Sequence, residues 1–257
     1  MDKQGNTIGF DMRMGSLFSG IGGLELGLEA ALGAETIWQV ENNAYARRVL
    51  EKHWPNTKRY EDVGEVGRRS LEPVELICGG FPCQGASNAG KRKGLEDERS
   101  GLWFEYARII CELEPRWVVV ENVPGLSSRG LDQVLGSLAS LGYSAAWDCL
   151  SAAAVGAFHV RDRLFIVAWK EMADAHLEGL EERESERRSL PPKLSTAMRA
   201  RGEGGAHWFT EPNVGRVANG VPSRVDRLRC LGNAVVPQCS YVIGMWLLQI
   251  KQWLEEQ

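Results

Sequence analysis

Through its first 170 residues the chain alternates short apolar runs with helical spacing, and several runs are apolar at every position. MGSLF (14–18), TIWQV (36–40), ELIC (75–78), WVVVEN (117–122) and RLFIVAW (163–169) read as strands, and a further short one precedes YEDVG at 60–64. Helical patterns occupy 22–32, 44–53, 102–113 and 131–141. A strand apolar on both faces must be covered on both, so the alternation predicts an α/β protein whose parallel sheet is layered with helices. After Trp169 the pattern breaks. Residues 171–229 are rich in charge, glycine and proline and show little periodicity, which reads as an insertion or small second lobe. Order returns with GNAVVPQ (232–238) and an apolar helix from Cys239 to about Trp253 that can pack back onto the sheet.

With 257 residues, 44% hydrophobic and 25% charged, the chain can bury one large core beside a small insertion. The polar start and the lack of an apolar run of spanning length predict no secretory signal and no membrane association. The six cysteines form no CxxC pair and there are only four histidines, so no metal site is expected, and reduced thiols in a cytoplasm are the simplest reading. A net charge of −4 argues against non-specific coating of nucleic acid. Basic residues nonetheless outnumber acids from Arg183 to Arg229, as a solvated surface or as a nucleic-acid contact.

Four constellations can carry chemistry. In GGFPCQGASNAGK (79–91), Cys83 follows a proline among small polar residues, whereas Cys78 sits in an apolar run; Cys83 is displayed as a nucleophile would be. LFSGIGGLELG (17–27) runs a strand through glycines into a helix, either a tight turn or a place where backbone meets a nucleoside cofactor at a helix N-terminus. Glu41, about 20 residues on, is placed to bind ribose hydroxyls, and Asp62 is an adenine ligand or a solvated turn acid. Glu121 ends the most apolar strand, where desolvation would raise its pKa and let it donate a proton, or where it simply caps the strand. Arg161 and Arg163, two apart at the start of a strand, share a face: they hold an anion or base edge and depress a thiol pKa, or they are a surface pair.

Taken in order, FSGIGG (18–23), Glu41, Asp62 with Val63, GGFPCQ (79–84), GKRKGLEDERSGLWF (90–104), ENV (121–123), RDR (161–163) and GNAVVP (232–237) resemble the C5 DNA cytosine methyltransferases of prokaryotic or phage type. The resemblance implies a Rossmann-like S-adenosylmethionine-dependent methyltransferase sheet with a small inserted target recognition region. Residues 1–170 would be the catalytic cofactor-binding domain, 171–230 the recognition region and 231–257 the helix returning to the catalytic domain. By the same resemblance, S-adenosylmethionine contacts Phe18, Gly20, Gly22, Gly23, Glu41, Asp62, Val63, Pro82 and Asn233. Cys83 attacks cytosine C6, Glu121 protonates N3, and Arg163, with Arg161 beside it, meets the cytosine ring oxygen. The base is flipped from the duplex to reach the thiol. Ser87, Lys91, Arg92 and Arg99 in the nucleophile loop, and Arg187, Arg188, Arg199, Arg201, His207, Trp208 and Arg216 in the recognition region, are the expected DNA contacts.

The implied partners are double-stranded DNA and a cognate restriction endonuclease, with the enzyme a monomer in the cytoplasm of a bacterial cell or phage-infected host. His159 stands where the family usually has glutamine, and Ala86 where it usually has a bulky residue. The stretch between Trp169 and Leu231 is short for the family, which predicts a short target, relaxed specificity or weak DNA affinity. Two other readings stand beside this one: a transfer-RNA cytosine-5 methyltransferase, whose Cys-Phe-Thr signature is absent, and a catalytically idle cofactor- or DNA-binding domain.

Overall fold

The apolar stretch at 117–122 is a strand with a core on each side. In the computed structural model, which describes residues 12–82, 101–170, 190–200 and 222–256, it forms β5 (Trp117–Asn122), buried along its whole length. Val118 and Val120 enter one apolar cluster and Trp117 and Val119 the other, as the period-two pleat requires.

Around β5 the described residues build a seven-stranded sheet in the order β3-β2-β1-β4-β5-β7-β6. Its other members are β1 (Arg13–Leu17), β2 (Glu35–Val40), β3 (Lys58–Tyr60), β4 (Leu76–Gly79), β6 (Tyr143–Ser151) and β7 (Asp162–Lys170). The first five strands are parallel. β7, expected to extend that parallel sheet, instead runs antiparallel to both β5 and β6. A parallel return needs a crossover of a dozen or more residues, and the segment between β6 and β7 holds only a short 3₁₀ turn, Ala152–Val155.

Helices cover both faces. α3 (Leu102–Leu113) and α4 (Leu131–Ser140) bury Trp103, Tyr106, Ile110, Val134 and Leu138 on the Val118 side. α1 (Gly23–Leu32), α5 (Leu194–Ala200) and α7 (Pro237–Glu255) cover the Trp117 side. α2 (Ala44–His53) is capped by Asn43, whose side chain accepts from the Tyr45 and Ala46 amides, and α6 (Arg224–Asn233) buries no residue.

α7 returns to the sheet by lying against α1. A Cβ on Gly27 would fall 2.2 Å from the Pro237 carbonyl oxygen, so the helices approach this closely only through a glycine. The stretch Arg224–Glu255 reaches a mean hydropathy of 1.2, long and apolar enough to cross a membrane by length and composition. In α7 that apolarity faces the core: Val242, Ile243, Trp246, Leu247 and Ile250 are all buried. α5 joins the same core through Leu194 and Ala197, and the Trp246 indole donates to the Pro192 carbonyl at 2.6 Å.

Candidate active site

The order of the strands changes direction between β1 and β4, since β2 and β3 lie to one side and β5 to the other. In such sheets a crevice opens at the carboxyl ends of the strands at that point. Here it is a cleft of about 360 Å³ including open solvent, walled by the turn after β1, by Gly79 at the end of β4 and Gly80 after it, by Glu121 at the end of β5 and by Asn233–Val235.

The β1–α1 turn winds through left-handed backbone at Phe18 (φ 55°), Gly20 (φ 58°) and Gly22 (φ 86°). Gly22 caps α1, and a Cβ there would overlap the Trp54 ring at 2.3 Å. Glu41, just beyond β2, ties this turn down: one carboxylate oxygen accepts from the Gly20 amide at 2.7 Å and the other from the Asn43 amide at 2.8 Å. Phe18 stacks on Tyr106, with ring centroids 6.3 Å apart. Asp62 is exposed and accepts from the Gly64 amide at 2.8 Å, capping the 3₁₀ turn that buries Val63. Of the residues expected at a cofactor, Phe18, Gly20, Gly23 and Asn233 line the cleft together with Glu121. Gly22 and Glu41 brace that lining, whereas Asp62, Val63 and Pro82 are not part of it.

Glu121 is 7% exposed. Burial pushes its carboxyl above the ordinary range, against the pull of the Arg163 and Arg161 charges. Arg163 Nε lies 2.8 Å from Glu121 Oε1, and its Nη1 donates to the Asp162 carbonyl at 2.8 Å. Beside Glu121, Asn122 Nδ2 donates to the Phe81 carbonyl at 3.1 Å and so fastens the chain two residues before Cys83. Gly80 makes that approach possible: a Cβ there would stand 2.5 Å from Glu121 Oε2. Arg161 turns elsewhere. Its Nη2 donates to the Gly232 and Ala234 carbonyls at 2.7 Å each, holding the backbone on both sides of Asn233.

Cys83, Ser87, Lys91, Arg92, Arg99, Arg187, Arg188, Arg201, His207, Trp208 and Arg216 lie outside the described residues, as do Ala86 and the side chain of Arg199. His159 is exposed.

Sequence reasoning passed over a polar group on the same cleft wall. Glu25, in the first turn of α1, is fully buried. It accepts from Ser16 Oγ at 2.6 Å, and Ser19 Oγ donates to Ser16 Oγ at 2.8 Å. Burial pushes the Glu25 carboxyl up to about 7. The available signal was its spacing, three and seven residues before Leu28 and Leu32, on the buried stripe of α1.

Comparison with known proteins adds the family context. The model of C-5 cytosine-specific DNA methylases matches residues 12–202. The type II methyltransferase M.HhaI of Haemophilus parahaemolyticus is 34% identical over 163 residues, 62% of this chain and 49% of that protein. M2.BsuMI of Bacillus subtilis is 35% identical over 165 residues, 61% of this chain and 42% of that one. The chain thus spans about half the length, or less, of these curated relatives. The Entamoeba histolytica methyltransferase EhMeth shares the fold, with a TM-score of 0.66 over 93% of this chain and 98% of its own at 16% identity.

Proposed function

The chain belongs to the C-5 cytosine-specific DNA methylase family, and from that membership we propose that it methylates C5 of cytosine in double-stranded DNA, with S-adenosylmethionine as donor. The observation that carries the reading is the pairing of buried Glu121 with Arg163 beside the strand end that leads into Pro82-Cys83.

Cytosine C5 is a weak nucleophile, so the ring must first be made electron-rich. The Cys83 thiolate adds to C6 while Glu121, whose carboxyl burial pushes above the ordinary range, gives a proton to N3. The resulting enamine is nucleophilic at C5. S-adenosylmethionine supplies the electrophilic methyl group on its sulfonium. With the methyl on C5 and S-adenosylhomocysteine left behind, loss of the C5 proton to water, expulsion of Cys83 from C6 as the thiolate and return of the N3 proton to Glu121 then restore the aromatic ring as 5-methylcytosine. Arg163 orients the Glu121 carboxyl, and Arg161 steadies Asn233 on the opposite wall.

The cleft suits the donor. Its wall combines a glycine turn, the N-terminus of α1 and, at Gly20, open space where a Cβ would meet nothing within 4 Å. Phe18, Gly20, Gly22, Gly23, Glu41, Asp62, Val63, Pro82 and Asn233 remain our assignment for the residues that hold it, Gly22 and Glu41 by shaping the turn. We assign 1–170 to catalysis, 171–230 to target recognition and 231–257 to the returning helix; α5, packed against α7, ties the second of these to the third. The basic residues of 187–216 and of the Cys83 loop are its DNA contacts. A monomer working in a bacterial or phage-infected cytoplasm, beside a restriction endonuclease of the same target site, completes the reading.

Covalent trapping tests it. Duplex DNA carrying 5-fluorocytosine, incubated with S-adenosylmethionine, should yield a stable protein–DNA adduct, because fluorine cannot leave as the C5 proton does. The adduct should vanish with Cys83→Ala. Methyl-donor binding without any adduct would return the chain to the class of idle binding domains.

A further inference from the structure

Two carboxylates line the cleft, and they are provided for differently. Glu121 has the Arg163 guanidinium at 2.8 Å. Glu25 has no cation among the described residues; its Oε1 takes the Ser16 hydroxyl, while its Oε2 is buried without a hydrogen-bond partner. Nor does Glu25 duplicate Glu41, whose two oxygens are already filled by the Gly20 and Asn43 amides on the other side of the turn. A carboxylate removed from water needs either a proton or a positive partner with a donor hydrogen. The Ser19–Ser16 hydroxyl chain delivers one donor to Glu25, a residue of the cleft lining, and leaves its second oxygen a buried, unfilled acceptor.

We infer that Glu25 receives the α-ammonium group of the amino-acid portion of the methyl donor. The inference rests on the S-adenosylmethionine reading above and names which residue recognises the cationic amine. An ammonium supplies both things that Glu25 lacks, a charge of opposite sign and a donor to Oε2. Ser16 and Ser19 hold the carboxylate in place from behind, so they are positioning residues for it.

Titration calorimetry with S-adenosylhomocysteine, which keeps the ammonium but has no sulfonium charge, separates this contact from recognition of the reacting centre. Its counterpart is the analogue in which hydrogen replaces the α-amino group. The wild-type chain should bind S-adenosylhomocysteine roughly 30-fold or more tightly than the deaminated analogue, as expected for a buried charge pair losing one partner. Glu25→Gln, checked for folding by its melting transition, should remove most of that preference while leaving the affinity for the deaminated analogue near the wild-type value. Equal affinity of the wild-type chain for the two ligands overturns the inference without recourse to any variant. A preference that survives in Glu25→Gln overturns it as well. Absence of S-adenosylhomocysteine binding by the wild-type chain would instead sink the cofactor reading, and this inference with it.

Discussion

Arg163 and Glu121 form a 2.8 Å ion pair at the end of β5 in which the arginine opposes the effect of burial: desolvation raises the Glu121 carboxyl and the guanidinium pulls it back. Removing the arginine should therefore strengthen the carboxyl's hold on its proton. In Arg163→Ala, the alkaline limb of the pH–kcat profile, where Glu121 must still be protonated, should move to higher pH while the maximal rate falls. A limb that stays in place or moves to lower pH would show that another group governs it. Glu121→Gln should cost roughly a hundred- to ten-thousand-fold in kcat, the usual worth of a general acid, with little loss of donor affinity.

Gly80 separates β4 from the Glu121 carboxylate by less than a methyl group's width. Gly80→Ala should displace Glu121 and lower kcat more than it lowers the melting temperature. The overpacking itself should cost about 1–3 kcal/mol. Normal turnover in a folded Gly80→Ala protein would mean that Glu121 does not act from this position.

Glu25 gives the ligand-free protein a specific pH signature. Its folded pKa of about 7 stands above the ordinary 4.5, so between those values the folded state binds more protons than the unfolded chain. Stability then falls as pH rises through that window, by roughly 3 kcal/mol in total. Glu25→Gln cannot ionise, so its stability relative to wild type should improve between about pH 4.5 and about pH 7 in urea unfolding. A difference independent of pH would contradict the assignment.

The apolar runs located five of the strands, and helical spacing marked α1 to α4 and the body of α7, because each buries a face whose periodicity is visible in the chain. What escaped lacked such a face. β6 is an edge strand of small and polar residues, YSAAWDCLS, half of it exposed, and α6 buries nothing. The antiparallel direction of β7 follows from the short β6–β7 connection, which cannot be interpreted until β6 is known. At the site, the burial of Glu121 was legible because the acid directly follows four apolar residues at a strand end. Glu25 was not, since its meaning depends on Ser16 and Ser19 meeting it across a turn. The partner of Arg161 was equally hidden, some seventy residues away in the backbone on either side of Asn233.

That long-range strut makes its own prediction. Arg161→Ala removes two hydrogen bonds from a charged donor, and the protein should lose about 2–3 kcal/mol of stability. Because the freed backbone carries Asn233 into the cleft, S-adenosylhomocysteine should also bind more weakly in calorimetry. Unchanged binding would remove Asn233 from the set of donor contacts.

The most direct measurement of the central claim is transfer of labelled methyl from S-adenosylmethionine to unmethylated duplex DNA, with a matched RNA sample and the Cys83→Ala and Glu121→Gln variants, followed by bisulfite sequencing. The account predicts label in DNA at C5 of cytosine within a short sequence, lost with Cys83→Ala and strongly reduced with Glu121→Gln. Label confined to RNA, or label in DNA that persists without Cys83, would contradict it.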